Sequence, residues 1–186
     1  MDARDAPPVT ERHTRDGIVD TALRLLEETG LPDLSMRRLA AALGVQPSAL
    51  YWHFENKQSL LAAVADRIVA AAPAVPATSD GHARVTAVAF AVRDALLAHR
   101  DGAEIVMSTQ ALGLGSDASH TRLREALGGD AGAATVLLQF ILGHASLVQQ
   151  RIQAARFGAY PQTEAEVVAQ TSADFAAGIR MILAGR

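Results

Sequence analysis

The stretch Ser35 to Lys57, SMRRLAAALGVQPSALYWHFENK, decides how the rest of the 186-residue chain is read. It has the layout of two short helices joined by a tight turn. Ser35 is placed to cap the first helix by accepting a backbone N–H, and Leu39, Ala40 and Leu43 then recur at helical spacing on one face. Gly44 ends that helix where a left-handed backbone is usually needed, Val45 plugs the angle, and Pro47 suits the first position of the next helix. The flanking signals predict a second helix over Pro47 to His53. In it Leu50 and Phe54, four apart, bury together and turn Ser48, Ala49, Tyr51, Trp52 and His53 toward another surface.

A helix-turn-helix sets its second helix in the major groove of double-stranded DNA while the first crosses the phosphate backbone. Arg37 and Arg38 on the first helix and Lys57 beyond the second put cations on both sides of the reading helix. Tyr51, Trp52 and His53 can donate to phosphates or stack on sugars, and Ser48 and Ala49 are small enough for close approach to base edges. The candidate DNA-binding set is therefore Ser35, Arg37, Arg38, Gln46, Pro47, Ser48, Ala49, Tyr51, Trp52, His53 and Lys57. On spacing alone, a helical hairpin in a core with the aromatics packed inside competes with this reading.

The pattern LxxxLAxxLGVxxxxLYWHFxNKxxLL resembles the N-terminal domain of TetR-family transcriptional regulators, and LYWH followed by NK is similar to the tetracycline-repressor branch. The preceding IVDTALRLLEETGLPDLSMRRLA, Ile18 to Ala40, continues the resemblance, and ALLAHRDGAEIV at Ala95 to Val106 is similar to the segment entering that branch's ligand pocket. The resemblance implies an all-α fold: an N-terminal three-helix domain with the helix-turn-helix, joined by a connecting helix to a C-terminal helical ligand-binding and dimerisation domain. It also implies a homodimer paired through the last two long helices. At the start of the reading helix the branch's glutamine and proline fall on Pro47 and Ser48, so phosphate anchoring should be similar and base choice different.

Composition bounds the rest. A 49% hydrophobic share with 4% aromatics means a core of Leu, Val, Ile and Ala, and the absence of cysteine excludes disulfides and thiolate zinc sites and suits a cytoplasmic setting. A net charge of -3 argues against coating nucleic acid by bulk charge, yet leaves room for a locally basic face. Residues 1–13, with Pro7 and Pro8 and mixed charges, read as a flexible arm. Residues 14–60 then form the DNA-binding domain and 61–186 the effector-binding and dimerisation domain. Charges and prolines break every stretch short of the roughly 20 apolar residues of a membrane span.

Helices are expected over about Thr14 to Thr29, Lys57 to Ala72, His82 to the Asp101-Gly102 turn, Ala103 to Leu112, Ser119 to Leu127, Ala131 to Phe157 and Thr163 to Ala184. The last two carry more apolar surface than one stripe needs, which asks for a second subunit and a four-helix bundle. No histidine pair has metal-ligand spacing and no nucleophile constellation stands out, so neither catalysis nor a metal or other cofactor is expected. Aligned with the tetracycline-repressor branch, the metal-binding imidazole falls on Val106, the drug-contacting histidine near Pro73 and the acid that holds metal-bound water on Ile152; Thr109 is kept and the next arginine is Gln110. A metal-free effector pocket for an apolar or amphipathic small molecule is expected instead, lined by Phe90, Met107, Leu112, Phe140 and Ile141 with polar contacts from Thr109, Gln110, His144 or Gln149. Together these readings describe a repressor released from a palindromic operator by an effector. The competing account is an all-helical effector-binding or scaffold dimer that does not read DNA.

Overall fold

The structure, a computed structural model, describes residues 14–76 and 81–185. The expected arm, with Arg4 and Arg12, and residues 77–80 of the expected linker lie outside those bounds. Every described element is a helix: α1 (Arg15–Thr29), α2 (Met36–Leu43), α3 (Pro47–Tyr51), α4 (Lys57–Ala70), α5 (Gly81–Leu97), α6 (Gly102–Ala111), α7 (Ala118–Ala126), α8 (Ala131–Arg156) and α9 (Glu164–Ala184).

Each boundary has a local cause. The Gly17 N–H donates to Thr14 Oγ1 at 3.1 Å to open α1, and Ala133 N–H to Asp130 Oδ1 at 2.9 Å to open α8. A reciprocal capping box opens α9: Glu166 N–H donates to Thr163 Oγ1 at 3.3 Å, and Thr163 N–H to Glu166 Oε2 at 2.8 Å. The reading helix stops at Tyr51, two residues before the expected His53. There the N–H groups of His53 and Phe54 both turn onto the Leu50 carbonyl, at 3.0 and 2.9 Å, which closes a turn instead of extending the helix.

The helices α1 to α3 enclose a small core of Ile18, Ala22, Leu26, Leu34, Leu39, Leu50 and Phe54, all almost fully buried. Residues Leu60, Val64, Ile68 and Val69 of α4 extend it into the second half of the chain, where α4 packs on α5, α6 and α7. One apolar cluster thus runs from α1 to α9, with α4 as the shared wall. In the second half α8 is central and packs on α5, α6, α7 and α9. It corrects the membrane count above: with 26 residues and a best-window mean hydropathy of 1.6, α8 is long and apolar enough to span a bilayer. Its neighbours explain the composition, because a helix covered on several sides needs apolar residues all round.

Candidate nucleic-acid interface and effector site

In the head, Ser35 Oγ accepts from the Arg38 N–H at 3.2 Å, while Arg37 and Arg38 point into solvent and Met36, Leu39, Ala40 and Leu43 into the core. The turn after α2 is a Schellman closure: Gly44 N–H reaches the Ala41 carbonyl at 3.2 Å and Val45 N–H the Ala40 carbonyl at 3.0 Å. It requires φ of 71° at Gly44, which a Cβ would disfavour.

Across that turn α3 is held from beneath by Leu50 and Phe54, each 1% exposed, and the rest of its surface stays free. Trp52 is 90% exposed and Tyr51 52%, with Gln46, Ser48 and His53 also exposed and Pro47 and Ala49 half-buried. The competing hairpin, with its aromatics packed inside, is thereby excluded. Lys57 begins α4, whose N-terminus is closed by a capping box in which Ser59 N–H donates to Asn56 Oδ1 at 2.9 Å. That end carries the positive pole of the helix dipole. Sequence reasoning gives Arg15, at the start of the first helix, no role in the head. Its guanidinium lies 4.4 Å from the Phe54 ring centroid and donates to the His53 carbonyl at 2.9 Å, so it clamps the corner after α3 to α1.

Polar contacts lock this head to the body. Asp16 and Asp20 of α1 both pair with Arg67 of α4, the first at 2.8 Å. Glu27 of α1 bonds the His99 ring at 3.0 Å and accepts from the Arg100 N–H at 3.1 Å, and the Leu31 N–H donates to Asp101 Oδ2 at 2.8 Å. Asp101 holds that pose with φ of 56°, unusual for a residue with a Cβ. The next residue must be glycine for a different reason: a Cβ on Gly102 would sit 2.5 Å from the Leu96 carbonyl oxygen. Behind the corner, Gln149 of α8 accepts from Ala103 N–H at 3.0 Å and donates to the Leu96 and His99 carbonyls at 3.1 and 2.7 Å. A cleft of about 410 Å³ opens beside this latch, bordered by Glu27, His99, Gln149, Ile152, Arg156 and Phe157.

The nine expected pocket residues are split among separate places. Phe90, Phe140 and His144 come together around Phe175 of α9, which stacks on Phe140 with centroids 5.4 Å apart and meets Phe90 edge-on at 5.0 Å. Ile141 is wholly buried in the α8 core, and the Thr109 hydroxyl is turned onto the Ile105 and Val106 carbonyls of its own helix. Met107 and Leu112 lie on the outside of α6, 40% and 62% exposed, and Gln110 borders a void of about 10 Å³. Gln149 is engaged by backbone as described and belongs to the cleft. Burial, and after it the charge of Arg93, hold the His144 imidazole down at about 4; Asp174 pulls it up and Arg151 adds to the lowering.

Residues 18–64 match the profile of "Bacterial regulatory proteins, tetR family". Beyond the head, the chain is 36% identical over 148 residues to the class C tetracycline repressor protein of Escherichia coli, covering 75% of this chain and 68% of that one. The chain belongs to the TetR family. The class D repressor of Escherichia coli is 39% identical over 118 residues, 61% of this chain, and the match spans about half of that relative, 53%. Among solved structures, Mycobacterium smegmatis BioQ superposes with a TM-score of 0.82 at 34% identity over 92% of this chain and 96% of that one. A structure described as BioQ with its natural double-stranded DNA operator superposes with a TM-score of 0.71 at 36% identity, over 86% and 98%. The family is regulatory, and the TetR-family match to the head coincides with the α1 to α4 block whose reading face has just been described.

Proposed function

We propose that this protein is a homodimeric transcriptional repressor that binds a palindromic operator through α3 and leaves it when a small organic effector occupies the C-terminal half. The observation that carries the reading is the exposed aromatic and basic face of α3 and its flanks, above all Trp52 at 90% exposure between Tyr51 and His53. A large apolar ring left in water just past the end of a five-residue helix needs a partner, and phosphates flanked by sugars supply one. Ser48 and Ala49, with Gln46 and Pro47 at the helix start, meet base edges; Arg37, Arg38, Tyr51, His53 and Lys57 anchor the phosphates, and Ser35 positions α2. The BioQ operator complex supports this use of the fold.

The dimer rests on α8 and α9. Val136 and Leu147, 55% and 47% exposed, stand three turns apart on one face of α8, and Val168 and Met181 leave α9 apolar toward solvent at 43% and 77%. Two copies of this surface close on each other about a twofold axis, which matches the symmetry of a palindrome. Coupling runs through the latch: an effector that favours a different setting of the α5–α6 corner shifts Glu27 and Leu31, and with them the spacing of the two reading heads. The family's regulatory character agrees with a protein that acts by binding and not by catalysis, in the cytoplasm where DNA is reached.

The test is selection of genomic fragments on the purified protein at near-physiological salt. Enrichment of a palindrome bound by one dimer is expected. An intact dimer that enriches nothing at any salt would return the reading to an effector-binding scaffold.

A further inference from the structure

Arg93, in the middle of α5, is 3% exposed. Its Nη2 donates to the Ser172 hydroxyl of α9 at 3.0 Å, and its Nη1 reaches the adjacent Asp94 carboxylate at 3.3 Å, a group whose side chain is 63% in solvent. The Nε is buried and has no partner. The guanidinium lies over the rings of Phe175 and Phe90, at 5.1 and 5.7 Å from their centroids. His144 of α8 places its ring 4.8 Å from that of the same Phe175, and its Nε2 is also buried and unpartnered.

Two unsatisfied nitrogens, one of them on a cation, thus converge on one nest of aromatic rings. Aromatic faces, a neutral hydroxyl and one long contact to the largely solvated Asp94 carboxylate offset only part of the cost of burying a guanidinium, and buried nitrogens left without a partner are rare enough in folded proteins to need a cause. We infer that the effector is an apolar monocarboxylate whose carboxylate pairs with Arg93 and His144 and whose hydrocarbon body packs among Phe90, Phe140 and Phe175. A carboxylate fits because its oxygens match the edge of a guanidinium, where Nε has no partner and the one ion pair, to Asp94, is long and mostly in solvent. The rings fill the nest as they stand, so entry displaces one of them. Phe140 is the ring placed to give way: it is half-buried, and its tip lies 2.3 Å from where a Cβ on Gly178 would be, so it closes over a glycine that leaves it room.

This inference deepens the effector-released repressor reading and rests on it for its consequence at DNA, but the site itself is testable without DNA. Calorimetric titration of the full-length protein with benzoate, 2-naphthoate and decanoate, each beside its primary amide, is the experiment. At least one carboxylate should bind about tenfold or more tightly than its amide, the equivalent of one charge-assisted hydrogen bond. Arg93→Gln, with its fold verified by circular dichroism, should abolish that difference. Phe140→Ala, which leaves the guanidinium in place, should keep the preference for carboxylate. Equal binding of acid and amide, binding of none of the three acids, or a carboxylate preference that survives Arg93→Gln would overturn the inference. Each of those results leaves operator binding to be judged separately, and failure to bind an operator leaves the calorimetric result standing.

Discussion

Phe54 and Trp52 are two residues apart and meet opposite surroundings, the first 1% exposed and the second 90%. Replacing Phe54 by Ala removes the floor of α3 and the ring under Arg15, and should cost about 3–5 kcal/mol of stability by denaturant unfolding. Trp52→Ala should change stability by no more than about 0.5 kcal/mol while weakening DNA binding. Arg37→Ala should lower affinity for every duplex alike and reduce the salt slope by about one per subunit, measured by anisotropy titration across salt concentrations. The sequence was most legible at this scale, since Leu39, Leu43, Leu50 and Phe54 had to bury if Gly44 turned the chain, and they do. Arg15 was not legible, because only the fold brings it onto a ring 39 positions away. His144 titrates near 4 in the folded protein against an ordinary 6.5. Between those values the unfolded chain takes up a proton that the folded one refuses, so this residue's contribution is complete above about pH 6.5 and lost as pH falls toward 4. The stability advantage of the native chain over His144→Gln should shrink across that window in thermal melts, with Arg93, Asp174 and Arg151 unchanged.

At the scale of the element, caps and corners carry the argument. Ser35→Ala removes the acceptor for the Arg38 N–H and should cost about 1 kcal/mol. The α5–α6 corner has a more specific signature. Asp101→Ala deletes the acceptor of the Leu31 N–H, so hydrogen exchange should accelerate at Leu31 and its neighbours while amides in the middle of α8 keep their protection. Unchanged exchange at Leu31 would show that the latch does not hold the head. Periodicity located every helix among the described residues, because each buries a stripe at helical spacing, and overran the ends of α3, α4 and α5, at α3 because hydrogen bonds to one carbonyl outweigh propensity. The candidate effector site is far less legible, because periodicity says which face a residue occupies without saying what stands opposite. Phe175, on α9, is the residue that gathers Phe90, Phe140 and His144, and nothing local in its sequence announces that role.

For the molecule as a whole, the proposed function requires two heads held at one spacing by a continuous core and a twofold interface. The apolar cluster from α1 to α9 makes the head and body share α4, so the two are joined by packed groups and not by a loose tether. Charged substitutions at Val136 and Leu147 together should split the dimer in sedimentation experiments and abolish operator binding with each head still folded. The single tryptophan of the chain, Trp52, stands on the reading face and provides the most direct measurement of the central claim. Its emission should be quenched and shifted to the blue as the selected palindromic duplex is added, saturating at one duplex per dimer. Emission that stays unchanged while the same duplex is bound would mean that DNA is held elsewhere on the molecule, and the assignment of α3 as the reading helix would be wrong.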